Sequence, residues 1–286
     1  MAANTAALRG ITKRYKSFTL GPIDLSVPAG SIVGLIGENG AGKTTLLKIL
    51  CGVNRADSGT VELLGGSPAD PAARAGIGIV LEDAFFYEGF TAAQVGRSLA
   101  GVFGARWRNE AFAAYLRRFG LDAGKKLKEY SRGMRLKLSL AAALAHDPEL
   151  LVLDEATAGL DPVARSELMD LFLEFIQDER HSIIMSSHIT ADLEQVADSI
   201  AYLHNGQLLF HENKDELLQA YGVLRCGESA LTSLPADLVI FTKRGAFGCE
   251  SLVKDRAAAL EFLPDAACDA AGLDDIMRFY SGRDAQ

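Results

Sequence analysis

Short apolar runs rich in β-branched residues recur along the first two thirds of the chain. They occupy residues 31–36, 78–81, 150–153 and 182–187, and segments with helical spacing separate most of them. Buried strands that alternate with helices are typical of a mainly parallel sheet with helices on both faces. The pattern therefore predicts an α/β core.

The helices between these strands have recognisable starts and ends. A glycine-rich turn precedes a helix over residues 43–50, and Ser131 is placed to cap a helix that runs to residue 145. Residues 91–121 have helical spacing, and Pro162 starts a helix that runs to about residue 178. We therefore expect a helical subdomain over about residues 84–145.

Both ends of the chain differ from this core. Residues 8–27 alternate between apolar and polar positions, which predicts short strands of an antiparallel subdomain. Residues 200–211 are expected to form a hairpin turned at Asn205-Gly206. After Gly222, two short strands and a terminal helix predict a small α+β appendage. We therefore place the domains at residues 1–222 and 223–286.

Composition narrows the class of protein. The chain has 286 residues and a formal net charge of −8, and no apolar run approaches the ~20 residues of a membrane-spanning helix. The acidic balance argues against broad binding to nucleic acid, and the first residues lack the pattern of a secretory signal. The four cysteines form no Cys-x-x-Cys pair, so reduced thiols are expected. A cytoplasmic protein fits these features, and a separate partner would have to supply any passage through a membrane.

A glycine-rich loop between a predicted strand and a predicted helix carries the clearest chemistry. It fits the pattern G-x-x-x-x-G-K-[ST], in which backbone N–H groups and a helix N-terminus bind phosphate. Lys43 is expected to reach the β and γ phosphates of a nucleotide, and the Thr44 hydroxyl to bind Mg²⁺. A glycine-rich turn with a chance lysine is the alternative, and the flanking strand and helix count against it. The candidate phosphate-binding residues are Gly37, Glu38, Asn39, Gly40, Ala41, Gly42, Lys43, Thr44 and Thr45.

A pair of carboxylates ends the apolar strand over residues 150–153. A buried strand end that faces a phosphate loop is where Mg²⁺ has to be held. Asp154 therefore suits the metal shell, and Glu155 is placed to polarise an attacking water molecule. Taken alone, the pair could equally be solvated carboxylates at the end of a strand.

Further short segments around this loop resemble the ATP-binding cassette family. Residues 130–134, Tyr-Ser-Arg-Gly-Met, are similar to the family signature Leu-Ser-Gly-Gly-Gln, and residues 158–161 are similar to its D-loop. Residues 186–188 are similar to the region of its switch histidine, and Tyr15 lies where the family places an aromatic ring on adenine. The order and spacing of these segments make the combination specific, and the resemblance covers roughly residues 8–222.

The resemblance implies a P-loop NTPase fold of ABC type and a site shared between two chains. In the family, two subunits pair head to tail, and each ATP lies between the phosphate loop of one and the signature of the other. Ser131, the N–H of Gly133 and Asp161 of the D-loop would then contribute to the partner's nucleotide. His188 would contact the γ-phosphate and act together with Glu155. The partner could be a second copy, which gives a homodimer, or a similar ATPase subunit, which gives a heterodimer.

The sequence departs from the family pattern at a few positions. Glu82 stands at the Q-loop position, where glutamine is usual. A carboxylate binds Mg²⁺ more strongly than an amide does, so Glu82 is a candidate metal ligand beside Thr44 and Asp154. Glutamate at this position resembles a branch of small exporters that includes bacitracin-resistance and lantibiotic-immunity ATPases. Arg132 and Met134 also replace signature residues.

The function implied by the resemblance is Mg-ATP hydrolysis by the energy-supplying subunit of a bacterial exporter. A separately encoded membrane permease would be its partner and would hold it at the inner face of the cell membrane. The alternatives are a soluble cassette ATPase that acts on ribosomes or DNA, and a regulatory module with little turnover. A single cassette without coiled-coil insertions counts against the first, and the presence of Glu155 and His188 counts against the second.

Overall fold

The computed structural model describes residues 4–81, 86–245 and 248–281. The chain divides into two compact units, one of residues 1–197 and 201–211 and the other of residues 198–200 and 212–286. The strands of the first unit are β1 Asn4–Arg14, β2 Thr19–Pro28, β3 Ile32–Ile36, β4 Ser58–Leu63, β5 Ile77–Val80, β6 Leu150–Asp154, β7 Ser182–Ser186, β8 Ser199–His204 and β9 Gln207–Asn213. A few residues of β8 and β9 fall in the ranges assigned to the second unit. Its helices are α1 Lys43–Leu50, α2 Pro71–Ala75, α3 Ala92–Phe103, α4 Asn109–Arg118, α5 Arg132–Leu144, α6 Pro162–Phe175 and α7 Thr190–Val196.

A six-stranded sheet in the order β5-β6-β7-β3-β8-β9 forms the core. The neighbours β5 and β6, β6 and β7, and β7 and β3 are parallel, as the alternation of strands and helices predicts. Every residue of β3, β6 and β7 is buried, which explains why these strands are apolar runs without alternation. The register places Asp154 beside Ser186 at the carboxyl ends of β6 and β7. The α/β core is confirmed.

The N-terminal strands form a separate antiparallel sheet in the order β2-β1-β4, which confirms the predicted antiparallel subdomain. The hairpin of β8 and β9 turns at Asn205 and Gly206, whose φ angles of 46° and 79° suit a two-residue turn.

Strand β4 was not predicted from the sequence. It is an edge strand with mainly exposed residues, so it lacks the alternation that would reveal it.

The predicted helical subdomain contains α3, α4 and α5. A capping box of Thr91 and Gln94 starts α3, and the Ser131 hydroxyl caps α5 as expected. The helical spacing over residues 91–121 proves to be two helices. Gly104, with a φ of 53°, ends α3, and the buried Trp107 precedes α4. No helix in the described parts of the chain is long and apolar enough to cross a bilayer.

The second unit is a small α+β structure, as predicted. Its elements are α8 Lys214–Ala220, β10 Gly222–Cys226, α9 Glu228–Leu231, β11 Val239–Gly245, β12 Gly248–Val253, α10 Arg256–Phe262, β13 Ala267–Ala270 and α11 Leu273–Ser281. The strands form one sheet in the order β11-β12-β10-β13, and all neighbours are antiparallel. Helix α8 belongs to this unit. The domain boundary that we place at residue 222 stays a prediction.

Candidate active site

The glycine-rich loop joins the buried end of β3 to the first residue of α1. Gly42 precedes α1 with a φ of 108°, and a Cβ atom there would lie 2.9 Å from both Phe18 and Leu20. Both the backbone angle and the close packing therefore require glycine. Glu38, Asn39 and Gly40 are exposed at the outer edge of the loop. The loop thus has the backbone form that a phosphate-binding turn needs.

Lys43 lies inside this loop with only 6% of its side chain exposed. Its Nζ donates to the carbonyl oxygen of Gly37 at 2.7 Å and to that of Glu38 at 3.3 Å. It also lies 3.4 Å from Oε1 of Glu155. A buried ammonium group needs such acceptors, and phosphate oxygens could replace them. The structure thus brings Lys43 and Glu155 together, as their proposed roles require.

Asp154 is buried at the end of β6 and is oriented by two hydroxyl groups. The Thr44 hydroxyl donates to Oδ2 at 2.7 Å, and the Ser186 hydroxyl donates to Oδ1 at 2.6 Å. Within the described residues no lysine or arginine forms an ion pair with Asp154, so a buried negative charge is held by neutral donors alone. Hard oxygen ligands with an uncompensated charge fit Mg²⁺. The charge of Asp154 also adds to burial in raising the pKa of Cys51 to about 12, so that thiol stays protonated.

Glu155 follows β6 in the left-handed region, with a φ of 52°. This angle is costly for a residue with a side chain and is typical of functional sites. Its backbone N–H donates to the Ser186 hydroxyl at 3.0 Å, and its Oε2 lies 2.5 Å from Nδ1 of His188. Oε1 is buried and has no hydrogen-bond partner among the residues that the structure describes, because its contact with Lys43 is an ion pair at 3.4 Å without hydrogen-bond geometry. Glu155 therefore has one oxygen held by His188 and the other facing the phosphate loop.

Ser186 is a site residue whose individual role the sequence analysis missed. Its hydroxyl donates to Asp154 and accepts from the N–H of Glu155, so a single side chain orients both carboxylates. The signal available in the sequence was a serine at the end of the strand that neighbours β6. Only the register of β6 with β7 reveals that it lies beside Asp154.

The predicted signature and D-loop lie near each other within the chain. The Ser131 Oγ accepts from the N–H of Met134 at 3.2 Å at the start of α5, and a Cβ on Gly133 would lie 3.2 Å from Leu160. Asp161 caps α6, and the N–H groups of Ala164 and Val163 hold the pKa of its carboxyl below the usual range. Ser131 and Asp161 thus have structural roles as caps, and their contacts with a partner's nucleotide stay predictions.

The two remaining predicted site residues differ in what the structure says of them. Tyr15 is 46% exposed and stacks on Phe18 with ring centroids 6.4 Å apart. Because Phe18 packs against Gly42, this aromatic pair lies next to the phosphate loop. Glu82 lies outside the described residues, so its part in metal binding stays a prediction.

Comparisons with known proteins agree with this geometry. The family model for "ABC transporter" matches residues 20–158. An uncharacterized ABC transporter ATP-binding protein of Synechocystis is 37% identical over 80% of this chain and 68% of its own length. A bacitracin transport ATP-binding protein of Enterococcus faecalis is 36% identical over 72% of this chain and 68% of its own length. A lantibiotic transport ATP-binding protein of Streptococcus pyogenes is 30% identical over 83% of this chain and 98% of its own length.

Solved structures agree with these relatives. The structure of an ATP-binding subunit of an ABC transporter superposes with a TM-score of 0.68 at 27% identity, covering 74% of this chain and 91% of that one. A dimeric bacterial ABC transporter cassette, 22% identical with a TM-score of 0.66, shows the fold alone. The phosphate loop, the carboxylate pair with its histidine, and these relatives lead to one assignment. The chain belongs to the ATP-binding, ATP-hydrolysing subunits of ABC transporters.

Proposed function

We propose that this chain powers an exporter by hydrolysing ATP at a site completed by a second cassette, and that a separately encoded permease is its membrane partner. The observation that carries the proposal is the contact of Glu155 with both Lys43 and His188. A chain without turnover has no need for a strained glutamate between these two groups. The relatives named for bacitracin and lantibiotic transport support the exporter part. No relative reported above supports the alternative of a soluble factor on ribosomes or DNA.

In this proposal the phosphate loop, Thr44 and Asp154 bind Mg-ATP. The backbone of residues 37–45 would surround the phosphates, while Thr44 and Asp154, whose side chains already lie together, would hold Mg²⁺. Glu82 is the further metal ligand that we propose. Mg²⁺, when bound, supplies positive charge that offsets the charge on the phosphate oxygens.

Lys43 links nucleotide binding to the activation of Glu155. When its ammonium group turns to the phosphates, it leaves Glu155 Oε1 without a cation, while His188 still holds Oε2. Oε1 then accepts a proton from the water molecule that attacks the γ-phosphorus, and the bond to the bridging oxygen breaks. The products are ADP and phosphate. Glu155 Oε1 thus loses its cation only when phosphate is present, which links its release to nucleotide binding.

The second subunit and the permease complete the proposed assembly. Ser131, Gly133 and Asp161 are the residues that we expect to face a partner's nucleotide, in either a homodimer or a heterodimer. For the permease, an apolar groove lies between the helical subdomain and the core sheet. Its lining includes Leu99, Phe103, Ala143 and His146. An apolar surface of this kind suits a segment of a membrane partner, which would hold the chain at the inner face of the membrane.

Substitution of Glu155 by Gln tests the hydrolytic role. The amide keeps the size of the side chain but cannot accept the proton, so turnover should fall by about 100-fold or more while ATP still binds. Phosphate release and nucleotide affinity are measured on the purified protein. Glu62→Gln, at an exposed glutamate of β4, is the matched control and should retain full activity. Normal turnover in Glu155→Gln would remove Glu155 from the catalytic role.

The exporter role is tested by recovery with the permease. We expect the permease encoded next to this chain to co-purify with it, and Leu99→Asp in the groove to reduce that recovery by about tenfold. The ATPase rate of the isolated variant should stay unchanged. Val102→Asp, on the exposed side of the same helix, is the control. Equal recovery of permease with both variants would contradict this docking surface.

A further inference from the structure

The second unit carries three of the chain's four cysteines, and two of them are direct neighbours across strands. The antiparallel register of β10 and β12 runs without a shift from Gly222 opposite Val253 to Cys226 opposite Cys249. Opposed residues in such a pair have Cα atoms ~4.5–5.5 Å apart. A disulfide requires a Cα separation of ~4.4–6.8 Å. The backbone therefore already places Cys226 and Cys249 at disulfide distance.

The side chains of the two cysteines also share one face of the sheet. Their neighbours Arg225 and Glu250, which are opposed to each other, point to the other face and form an ion pair to which Asp269 of β13 also belongs. Because side chains alternate between faces along a strand, the thiols lie on the face opposite this ion pair. The free thiol of each cysteine is thus next to that of the other.

The pair is open to small molecules from one side. Cys226 is partly exposed, whereas Cys249 is 6% exposed. Both line an open cleft at the end of the sheet, together with Lys243, Arg244 and Gly248. A small oxidant would therefore meet Cys226 first and Cys249 second. The other two cysteines are buried, Cys268 opposite Leu224 in the same sheet and Cys51 in the other unit.

We propose that Cys226 and Cys249 form a reversible disulfide when the protein meets a hydroperoxide. The Cys226 thiolate attacks the peroxide, the O–O bond breaks, and Cys226 becomes a sulfenic acid while an alcohol or water leaves. The thiol of Cys249 then attacks this sulfur, the S–S bond forms, and the sulfenic oxygen leaves as water. The two thiols together lose two electrons, and one hydroperoxide accepts them. A dithiol reductant reverses the step by exchange.

The environment of Cys226 sets how fast this site reacts. Burial, and then the charge of Cys249, raise the pKa of Cys226, so only a small fraction is thiolate at neutral pH. Because the thiolate is the nucleophile, the oxidation rate should rise about tenfold for each pH unit below that pKa. The site thus stays reduced under mild conditions and responds to sustained or concentrated oxidant.

The experiment is peptide mapping of the full-length protein after treatment with hydrogen peroxide. Free thiols are alkylated under denaturing conditions, and the linked peptides are identified by mass spectrometry before and after dithiothreitol. We expect one linked pair of peptides, which joins Cys226 to Cys249. Its mass should be two hydrogens less than the sum of the two peptides with free thiols, and the link should disappear on reduction. Cys51 and Cys268 should be alkylated throughout. Full alkylation of Cys226 and Cys249 after peroxide, a link to Cys268, or a link between two chains would each overturn the proposal.

Single substitutions separate the two thiols. In Cys249→Ser, oxidation should stop at the sulfenic acid of Cys226, which dimedone labels. In Cys226→Ser, neither the disulfide nor the dimedone adduct should form. Cys268→Ser is the matched control because it removes a thiol from the same sheet, and it should keep the disulfide. Loss of the disulfide in this control would refute the assigned pair, and the mapping of the unaltered protein decides the question if a variant does not fold.

Discussion

Removal of the Ser186 hydroxyl should lower both the stability of the fold and the affinity for Mg²⁺. This hydroxyl donates to the buried Asp154 carboxylate at 2.6 Å and accepts from the N–H of Glu155. In Ser186→Ala the N–H of Glu155 keeps a second partner, the Ser186 carbonyl oxygen at 3.2 Å. The loss therefore falls on Asp154. A hydrogen bond to a charged group contributes ~1.5–3 kcal/mol, so the free energy of unfolding should drop by about that amount.

The same change should weaken metal binding, because Asp154 would lose one of the two hydroxyls that orient it and would keep only the contact of Oδ2 with Thr44. Loss of a residue that orients a ligand typically costs ~10–100-fold in metal affinity or activity. The assay is the ATPase rate as a function of Mg²⁺ concentration, together with urea unfolding. Ser182→Ala is the control, because this serine is equally buried in β7 and its hydroxyl bonds to Thr5, away from Asp154. It should lose about 1 kcal/mol of stability with no change in Mg²⁺ dependence. Identical Mg²⁺ curves for Ser186→Ala and the unaltered protein would refute this reasoning.

Two further predictions concern the shared site and the pH dependence of stability. Ser131→Arg should reduce turnover by about 100-fold, because the larger side chain would enter the contact with the partner's phosphate. Mixing this variant with Lys43→Ala should restore part of the activity, because each heterodimer has one intact site. Full activity of Ser131→Arg alone would contradict the signature assignment. His146 is buried with its Nε2 3.0 Å from the carbonyl oxygen of Ile77, and burial lowers its pKa. The pKa of His146 in the folded protein thus lies below its value of ~6.5 in the unfolded chain. The contribution of the neutral imidazole to the free energy of unfolding is therefore fully present above pH ~6.5 and is lost as the pH falls from there toward the folded pKa. Urea unfolding between pH 7.5 and 5 should show this loss, and His146→Phe should show less of it.

Local signals explain which parts of the fold could be predicted from the sequence. The loop before α1, the Asn205-Gly206 turn and the Ser131 cap depend on residues within a few positions of one another. Edge strand β4 depends on a distant partner, because it pairs with β1 about fifty residues earlier in the chain. The same holds for the site. Lys43 and Asp154 belong to recognisable motifs, whereas Ser186 gains its role only from the pairing of β6 with β7.

The division of roles between Asp154 and Glu155 also arises from the backbone and not from residue type. Both are carboxylates at adjacent positions, and a continued strand would send the second side chain to the opposite face of the sheet. The left-handed φ of Glu155 ends the strand instead and turns its side chain toward Lys43 and His188. Asp154, still in the strand, points to Thr44 and Ser186. One carboxylate is therefore held by hydroxyls, which suits a metal ligand, and the other lies between a cation and an imidazole, which suits a base. The strained turn thus gives two adjacent acids different surroundings, and these match the two roles that we propose for them.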